Sequence, residues 1–347
     1  MFRRIVSLVT VIGLAAALTL LVDFPVVKVG DSSTPQTVSV QPKQPKLVCP
    51  GPVFVNGGQN GVTLGSFVHS GSVAIVGQES ENRIAFTSFS DKVFTGSTTG
   101  SKSFNAIQAQ FANGKQAFGF AAANCVPGSN DAWLIAGDNS VGREALLILA
   151  NPTNVDSTVS LQLYGTSGPI QGAGLSGISA PAGKVTVLAL SSFAPKAETF
   201  SVHVSSRGAE LGIWLQQKTV RGLTPGGLDL IGATAVPAKV IDIPGVFIRN
   251  TSALANLAND SNFQDVKPIL RITAPGEKAA KFTAQVRGAD GSAFGTVIQG
   301  EVPAGSTRDF ALEDIAEGNY SVHVDSDVEL LGAVRYSRMS GSLPDFA

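Results

Sequence analysis

The chain carries an internal duplication, and this feature constrains its fold more than any other. Residues 181–190 and 303–312 both begin with Pro-Ala-Gly, and residues 201–204 and 321–324 both read Ser-Val-His-Val. The matching segments keep almost the same spacing in both copies, so the small length changes fall between them. A unit this long is a folded domain copied in tandem, because solenoid repeats are only about 20 to 50 residues long.

Both copies have the sequence pattern of antiparallel strands. Apolar and polar residues alternate over 200–205 and 320–325, which predicts a strand with one face on a core and the other in water. Short apolar runs between turn residues predict further strands over 146–149, 159–163, 184–190, 211–215, 269–272, 281–286, 307–312 and 330–334. We therefore predict an all-β fold of tandem immunoglobulin-like antiparallel β-sandwiches, following an N-terminal helix.

That N-terminal helix is predicted from an uncharged apolar run over 5–22, preceded by Arg3 and Arg4. The pattern indicates a signal peptide or a signal anchor over 1–28, with everything after it outside the cytoplasm. We favour an uncleaved single-pass membrane anchor, because the small residues of 15–17 lie inside the apolar run. A cleaved leader and a secreted protein are the alternative.

The rest of the chain divides at changes in composition. A spacer rich in Ser, Thr, Pro and Gln is predicted over 29–48 and is expected to be disordered. A first β domain is predicted over 49–237, made of an extra β segment (49–130, with strand-like runs at 104–111 and 117–123) and a sandwich repeat (131–222). The second sandwich repeat is predicted over 238–347. Whether 49–130 is a separate domain or adds strands to the first sandwich stays open.

Cys49 and Cys125 are the two cysteines of the chain. Outside the cytoplasm such a pair predicts a disulfide. Two buried thiols are the alternative, and a zinc site is disfavoured because no histidine lies beside either cysteine.

The order of several motifs resembles the DUF5719 family, a family of exported actinobacterial proteins, and is similar to β-sandwich repeats of bacterial surface proteins. The motifs are Cys-Pro-Gly-Pro from Cys49, Trp-Leu-Ile-Ala-Gly over 133–137, Leu-Leu-Ile-Leu-Ala-Asn-Pro over 146–152, Gly-Thr-Ser-Gly over 165–168 and Pro-Ala-Gly over 181–183. The second copy departs from the pattern, because Ala274 and Pro275 replace Asn-Pro and no tryptophan precedes them. The resemblance implies an exported β-sandwich protein and no catalytic residues; the function of the family is unknown.

Composition and motifs disfavour several function classes. The formal net charge is −1 and no basic cluster is present, so we expect no nucleic-acid partner. His203 and His323 occupy equivalent positions in the two copies, which reflects common descent and not one metal site. Residues 325–329 read as an acidic turn and not as a calcium site. We expect no metal, no cofactor and no enzymatic activity.

We therefore predict a non-catalytic extracytoplasmic protein of the cell envelope, with a structural or protein-interaction role and an envelope protein or glycan as partner. One alternative is a carbohydrate-binding module, in which Trp133 or Tyr164 would be exposed to stack on sugar rings; a core position is favoured for Trp133. A further alternative is a hydrolase with a site in 53–126. Such a site would bring His69 together with carboxylates such as Glu79, Glu81 and Asp91.

Overall fold

The computed structural model of the protein describes residues 46–57, 66–79, 82–84, 87–89, 93–97, 105–288 and 293–346, and it leaves the side chains of 79, 82–84, 87–89 and 293–296 undescribed. The described residues all belong to one compact unit. Among them, no helix is long and apolar enough to cross a bilayer. The apolar run over 5–22 lies outside this range, so the predicted leader stays a prediction.

The first nine strands form the front module, residues 46–125. Its strands are β1 (Lys46–Cys49), β2 (Phe54–Asn56), β3 (Phe67–His69), β4 (Ala74–Glu79), β5 (Asn82–Ile84), β6 (Thr87–Phe89), β7 (Val93–Ser97), β8 (Asn105–Asn113) and β9 (Phe118–Cys125). They pair as a sheet of order β1-β7-β6, a hairpin β2-β3 and a sheet of order β5-β4-β8-β9. We call this last sheet the front sheet.

The spacer predicted over 29–48 extends too far at its C-terminal end. Lys46 pairs with Ser97, and the next two residues of β1, Leu47 and Val48, are buried. These apolar side chains next to Cys49 belong to a core, which is why this part of the segment is a strand. The remainder of the predicted spacer lies outside the described residues.

The first sandwich follows and contains two sheets. Its strands are β10 (Asp131–Leu134), β11 (Arg143–Ala150), β12 (Ser157–Gly165), β13 (Gly168–Ile170), β14 (Ile178–Ala180), β15 (Val185–Ala189), β16 (Phe200–Gly208), β17 (Gly212–Arg221) and β18 (Thr224–Gly232), with a 3-10 turn at Leu190–Ser192. One sheet has the order β10-β16-β12-β13, with β14 also on β12, and the other has the order β15-β11-β17-β18. Alternating side chains from both sheets, such as Leu147, Leu161, Val202 and Leu215, form one buried core between them.

The second sandwich repeats this arrangement. Its strands are β19 (Ala238–Ile248), β20 (Ile269–Ala274), β21 (Ala280–Gly288), β22 (Ala293–Val302), β23 (Ser306–Ala311) and β24 (Gly318–Arg335), and the C-terminal hairpin is β25 (Ser337–Ser340) with β26 (Leu343–Phe346). Helix α1 (Thr251–Leu257) and a 3-10 segment (Ser261–Val266) lie between β19 and β20. The first half of β24 pairs with β19 and β21, and its last residues pair with β20.

The duplication is visible in the strand register. Gln162 of β12 lies opposite His203 of β16, and Gln285 of β21 lies opposite His323 of β24. The all-β fold and its antiparallel sheets therefore confirm the fold class predicted from the repeats. The predicted acidic turn over 325–329 is wrong, because these residues continue β24 without interruption.

The first copy breaks at the equivalent place. At the last residue of β16, Gly208 has φ +111°, and a side chain there would meet the backbone of Asp156. No residue of β24 has a positive φ, so the strand runs through both sheets of the second sandwich.

The front module covers the outer face of the first sandwich. Ile148 and Trp214 of that face are fully buried against front-module side chains such as Val53 and Phe54. Gln216 reinforces this contact, because its side-chain amide accepts from Phe54 N at 2.7 Å and donates to Phe54 O at 2.8 Å.

The equivalent face of the second sandwich is covered by the first sandwich. Arg271 donates to Asp309 Oδ1 at 2.7 Å and to the carbonyl oxygens of Gly137 and Phe200 at 2.9 and 3.2 Å. Beside it, the hydroxyls of Ser201 and Thr273 lie 2.7 Å apart. The three modules are therefore joined through buried polar contacts as well as apolar ones.

Candidate functional site

The predicted disulfide between Cys49 and Cys125 is present. It links β1 to β9 and thereby ties two sheets of the front module together, in a small buried cluster with Leu47 and Ala106. Next to it, Val48 and Val126 exchange two backbone hydrogen bonds of 2.8 Å. The bridge is buried and structural, because both cysteines are at most 5% exposed.

Trp133 and Tyr164, considered as sugar-stacking residues, are each only 8% exposed. The indole of Trp133 stacks on His203 at 4.0 Å between ring centroids and lies 5.6 Å from the ring of Tyr164. Leu331 of the second sandwich packs against both aromatic side chains. Burial raises the pKa of Tyr164. These rings form a core between the two sandwiches, and neither presents a face on which a sugar could stack.

Each of the two equivalent histidines contacts an aspartate of a neighbouring strand, and His323 also contacts Asp325 of its own strand. His203 Nε2 lies 2.7 Å from Asp131, and His323 lies 2.7 Å from Asp242 through Nδ1 and 3.0 Å from Asp325 through Nε2. No group of three potential metal ligands occurs within the described ranges. Each histidine therefore links neighbouring strands of its own sandwich, and the equivalent placement is consistent with descent of both sandwiches from a common ancestor.

His69, the base of the hydrolase hypothesis, lies at the end of β3. Its Nδ1 is 2.8 Å from the carbonyl oxygen of Pro52, and its ring packs against that of Phe54, tilted by 34° with centroids 4.3 Å apart. The side chain of Glu79 and all of Glu81 and Asp91 lie outside the described residues, so the predicted cleft is untested.

The most distinctive surface is the outer face of the front sheet, which we call the front face. It consists of the outward side chains of β4, β8 and β9: Ala74, Val76, Ile107, Ala109, Phe111, Phe118, Phe120 and Ala122, with Gln78, Asn105, Asn113 and Asn124 at its margins. Val76, Ile107, Phe111 and Phe120 are 48%, 48%, 52% and 40% exposed. These are large apolar side chains, and they are neighbours across paired strands.

Strand alternation creates this face. In β8 every second residue is buried, including Ala106, Gln108 and Ala112, so Ile107 and Phe111 must point to the opposite side. A buried glutamine anchors the inner side: Gln108 exchanges two hydrogen bonds with the backbone of Gly51, at 2.8 and 2.6 Å. These inner-side hydrogen bonds therefore fix the strand register, and the apolar outward side chains cannot turn inward without exposing the core.

The outward row continues across the strand pairs. Val76 lies opposite Ile107, and Phe111 lies opposite Phe120. The ring of Phe111 also meets that of Phe118 edge-on, with centroids 5.6 Å apart. No charged side chain occurs among the described residues of β8 and β9. The guanidinium of Arg338, from the C-terminal hairpin, lies 5.7 Å from the centre of the Phe120 ring at the margin of the front face.

Three buried ionisable groups with shifted pKa values lie away from the front face, at the junction of the sandwiches. Burial opposes ionisation of Asp265, but Arg221 and Arg143, at 2.6 and 2.9 Å, outweigh it and lower the pKa of Asp265. Burial lowers the pKa of Arg335 and raises the pKa of Asp229 to about 7. Asp229 and Arg335 line a cavity of about 190 Å³, which is too small for a drug-sized ligand. We read this network as structural.

A family model described as a family of unknown function, DUF5719, matches residues 87–347. No curated protein matches the chain. A solved structure from Bacteroides ovatus, of the mixed-linkage glucan utilization locus protein SGBP-B in complex with a mixed-linkage heptasaccharide, is 10% identical, covers 76% of this chain and 71% of that chain, and has a TM-score of 0.14. A likeness this weak carries no argument about this chain.

Proposed function

The chain belongs to the DUF5719 family, and we propose that it is an exported, non-catalytic protein of the cell envelope whose front face binds another protein. The observation that carries this proposal is the exposed, uncharged apolar surface on β4, β8 and β9. Monomeric soluble proteins rarely expose contiguous apolar surfaces larger than about a few hundred Å², and larger ones commonly serve as interaction sites.

The chemistry of the front face favours a protein partner. Its centre is formed by Val76 and Ile107 together with Phe111 and Phe120, a mixture of aliphatic and aromatic side chains on neighbouring strands. The centres of protein interfaces are similarly depleted of charge and rich in aromatic residues, and they are surrounded by a polar rim. The asparagines at the margins, such as Asn113 and Asn124, supply such a rim.

Export is supported by two independent features. The disulfide between Cys49 and Cys125 is of the kind that persists in oxidising compartments. The basic residues and apolar run at 3–22 have the pattern of an export signal, and as an uncleaved anchor they would hold the front module outside the cell membrane. Secretion after cleavage is the alternative outcome of the same signal.

The test is a pull-down from intact cells after chemical crosslinking. The variant Ile107→Ser/Phe111→Ser removes two exposed side chains, so the fold should be retained while the bound partner is lost. Leu223→Ser is the matched control, because Leu223 is 99% exposed in the turn between β17 and β18, outside the front face. Equal partner recovery with wild type, control and front-face variant would refute the proposal.

A second candidate is an envelope glycan bound at the same face. The observation that favours it is the combination of exposed phenylalanine rings with asparagine side chains, which can stack on and hydrogen-bond to a sugar. Purified wall glycan distinguishes the two: if the wild type sediments with the glycan and Ile107→Ser/Phe111→Ser does not, the glycan is the ligand. If the partner is a protein, neither the wild type nor the variant should sediment with the glycan.

A further inference from the structure

The second sandwich contains a cavity of about 540 Å³ at the end of its core. Leu254 of helix α1 and Ala258, just after the helix, form one wall, and the segment after β23 forms the opposite wall with Leu312 and Ile315. Tyr336 closes the inner end. A volume of this size falls within the range of about 300 to 1,000 Å³ that small-molecule sites occupy.

Comparison with the first sandwich shows that the fold itself does not require this cavity. In the first sandwich, residues 135–142 connect β10 directly to β11, and Asn139 in this connection is 7% exposed. Its side chain donates to the carbonyl oxygen of Ala194 at 3.1 Å and accepts from Ala145 N at 3.1 Å, so it fills this end of the first sandwich.

In the second sandwich, the equivalent connection between β19 and β20 is the much longer segment 249–268. This segment contains α1 and a 3-10 segment, which contribute Thr251, Leu254 and Val266 to the cavity wall. At this place in the fold, an asparagine side chain fills the space in the first sandwich, whereas a helical insertion lines a cavity in the second sandwich.

The backbone at the mouth is also unusual. Asn250, just before α1, has φ 59°, and Asp314, on the opposite wall, has φ 56°. Residues other than glycine adopt this left-handed conformation at a cost in free energy, so the surrounding structure must hold both positions in place. The side chain of Asn250 accepts from Met339 N at 3.0 Å, which holds the start of the helix in place.

The inner lining is apolar. Ile248, Val266 and Leu312 are each at most 4% exposed, and Tyr336 directs its hydroxyl to a backbone carbonyl oxygen at 3.3 Å. A ligand inside the cavity would therefore meet mainly carbon atoms, and a charged group placed there would lose its hydration without gaining a partner.

The charged groups near the mouth do not favour an ion of either sign. The guanidinium of Arg249 already donates to the carbonyl oxygens of Ile248 and Gly318, at 2.8 and 2.7 Å, and to Asn319 at 2.6 Å. The other charged residues that line the cavity, Lys267, Glu313 and Asp314, are exposed and of mixed sign.

From the cavity, its helical insertion and its apolar lining, we propose that the second sandwich binds a small uncharged apolar molecule between α1 and the segment after β23. This site is separate from the front face, which lies in another module and is built from other strands. The two proposals can therefore fail independently.

The test is a fluorescence titration of the full chain with N-phenyl-1-naphthylamine, an uncharged apolar probe. We expect saturable enhancement with the wild type and with Ala253→Trp, which places a ring on the exposed side of α1 away from the cavity. Ala258→Trp fills the cavity and should weaken binding at least tenfold. Ala255→Phe is a second filling variant should Ala258→Trp fail to fold, which thermal unfolding would show.

Three results would overturn the proposal: no saturable enhancement with the wild type, undiminished binding by a folded filling variant, or loss of binding in Ile107→Ser/Phe111→Ser. The last result would place the probe on the front face. An anionic probe, 8-anilinonaphthalene-1-sulfonate, should bind at least tenfold more weakly than the uncharged one, and equal affinity would contradict the proposed ligand class.

Discussion

Arg271 occupies in the second sandwich the strand position that Ile148 occupies in the first. Ile148 lies opposite Val187 on the neighbouring strand, and Arg271 lies opposite Asp309. In the first copy this pair is apolar and covered by the front module; in the second it is an ion pair covered by the first sandwich. The same face of the duplicated domain is therefore buried in both copies, by an apolar contact in the first and by an ion pair in the second.

This relationship predicts a specific pattern of stability. Asp309→Val leaves the guanidinium of Arg271 buried without its carboxylate and should lower the free energy of unfolding by about 3 to 5 kcal/mol. Adding Arg271→Ile recreates the pair found in the first copy and should recover part of that loss. Urea denaturation of the single and double variants tests this, and a double variant less stable than Asp309→Val would contradict it.

The C-terminal strand is predicted to fasten the front module to the first sandwich. Asp345 is 1% exposed, and its carboxylate accepts from the backbone N–H groups of Phe120, Leu228 and Phe346 at 2.7, 3.0 and 3.1 Å. Asp345→Ala leaves these donors without a partner and should destabilise the protein by about 3 kcal/mol.

The exposed carboxylate of Glu313 offers a matched control for this substitution. Glu313→Ala should change the free energy of unfolding by less than about 0.5 kcal/mol, the usual range for surface substitutions. Thermal and urea unfolding of both variants measure the difference. Equal stability of Asp345→Ala and Glu313→Ala would mean that β26 does not fasten the modules.

Stability should depend on pH through Asp229. Burial raises the pKa of this carboxyl from 3.8 to about 7, with Asp345 adding to the effect and the Leu230 N–H opposing it. The folded protein therefore keeps a proton that the unfolded chain has already lost, and Asp229 makes stability fall as pH rises from about 4 to about 7. Above about pH 7 its contribution is constant.

Asp229→Asn removes this titration and can still accept from Leu230 N. The gain in unfolding free energy over wild type should therefore be larger at about pH 8 than at about pH 4.5, by more than about 1 kcal/mol. Paired urea denaturation at the two pH values gives this difference directly. A gain that is equal at both values would show that Asp229 ionises normally in the folded protein.

The disulfide should stabilise the protein independently of any ligand. Cys49→Ser/Cys125→Ser should lower the free energy of unfolding by about 2 to 4 kcal/mol, because the bridge closes a loop with a sequence separation of 76. A reductant should destabilise the wild type to a similar extent and leave the double variant unchanged. A reductant effect of equal size in both proteins would contradict a stabilising bridge.

Much of the fold could be predicted from the sequence because the duplication supplies its own comparison. Equal motifs at nearly equal spacing require equal strands, and the Gln–His pairs of the two copies confirm this. The uninterrupted strand β24 was not predicted. Asp325 and its acidic neighbours resemble a turn in composition, whereas strand pairing with Thr283 and Val240 determines their actual conformation.

The candidate binding surface could be predicted only in part. The core position favoured for Trp133 is confirmed, and it is buried with Tyr164 between the sandwiches; that the second sandwich covers them leaves no local signal in the sequence. The sequence did show strands over 104–111 and 117–123. In these strands, large apolar residues such as Ile107 and Phe111 alternate with small or polar residues, and no residue is charged. This alternation was the available signal for the front face.

The central claim, that the front face of an exported protein binds another protein, is tested most directly by photocrosslinking in intact cells. A photoreactive amino acid replaces Phe111 in one variant and Leu223 in the other, and both side chains are exposed at these positions. We predict a discrete adduct with one envelope protein from position 111 and none from position 223. Absence of a protein adduct from position 111, or the same adducts from both positions, would contradict the account.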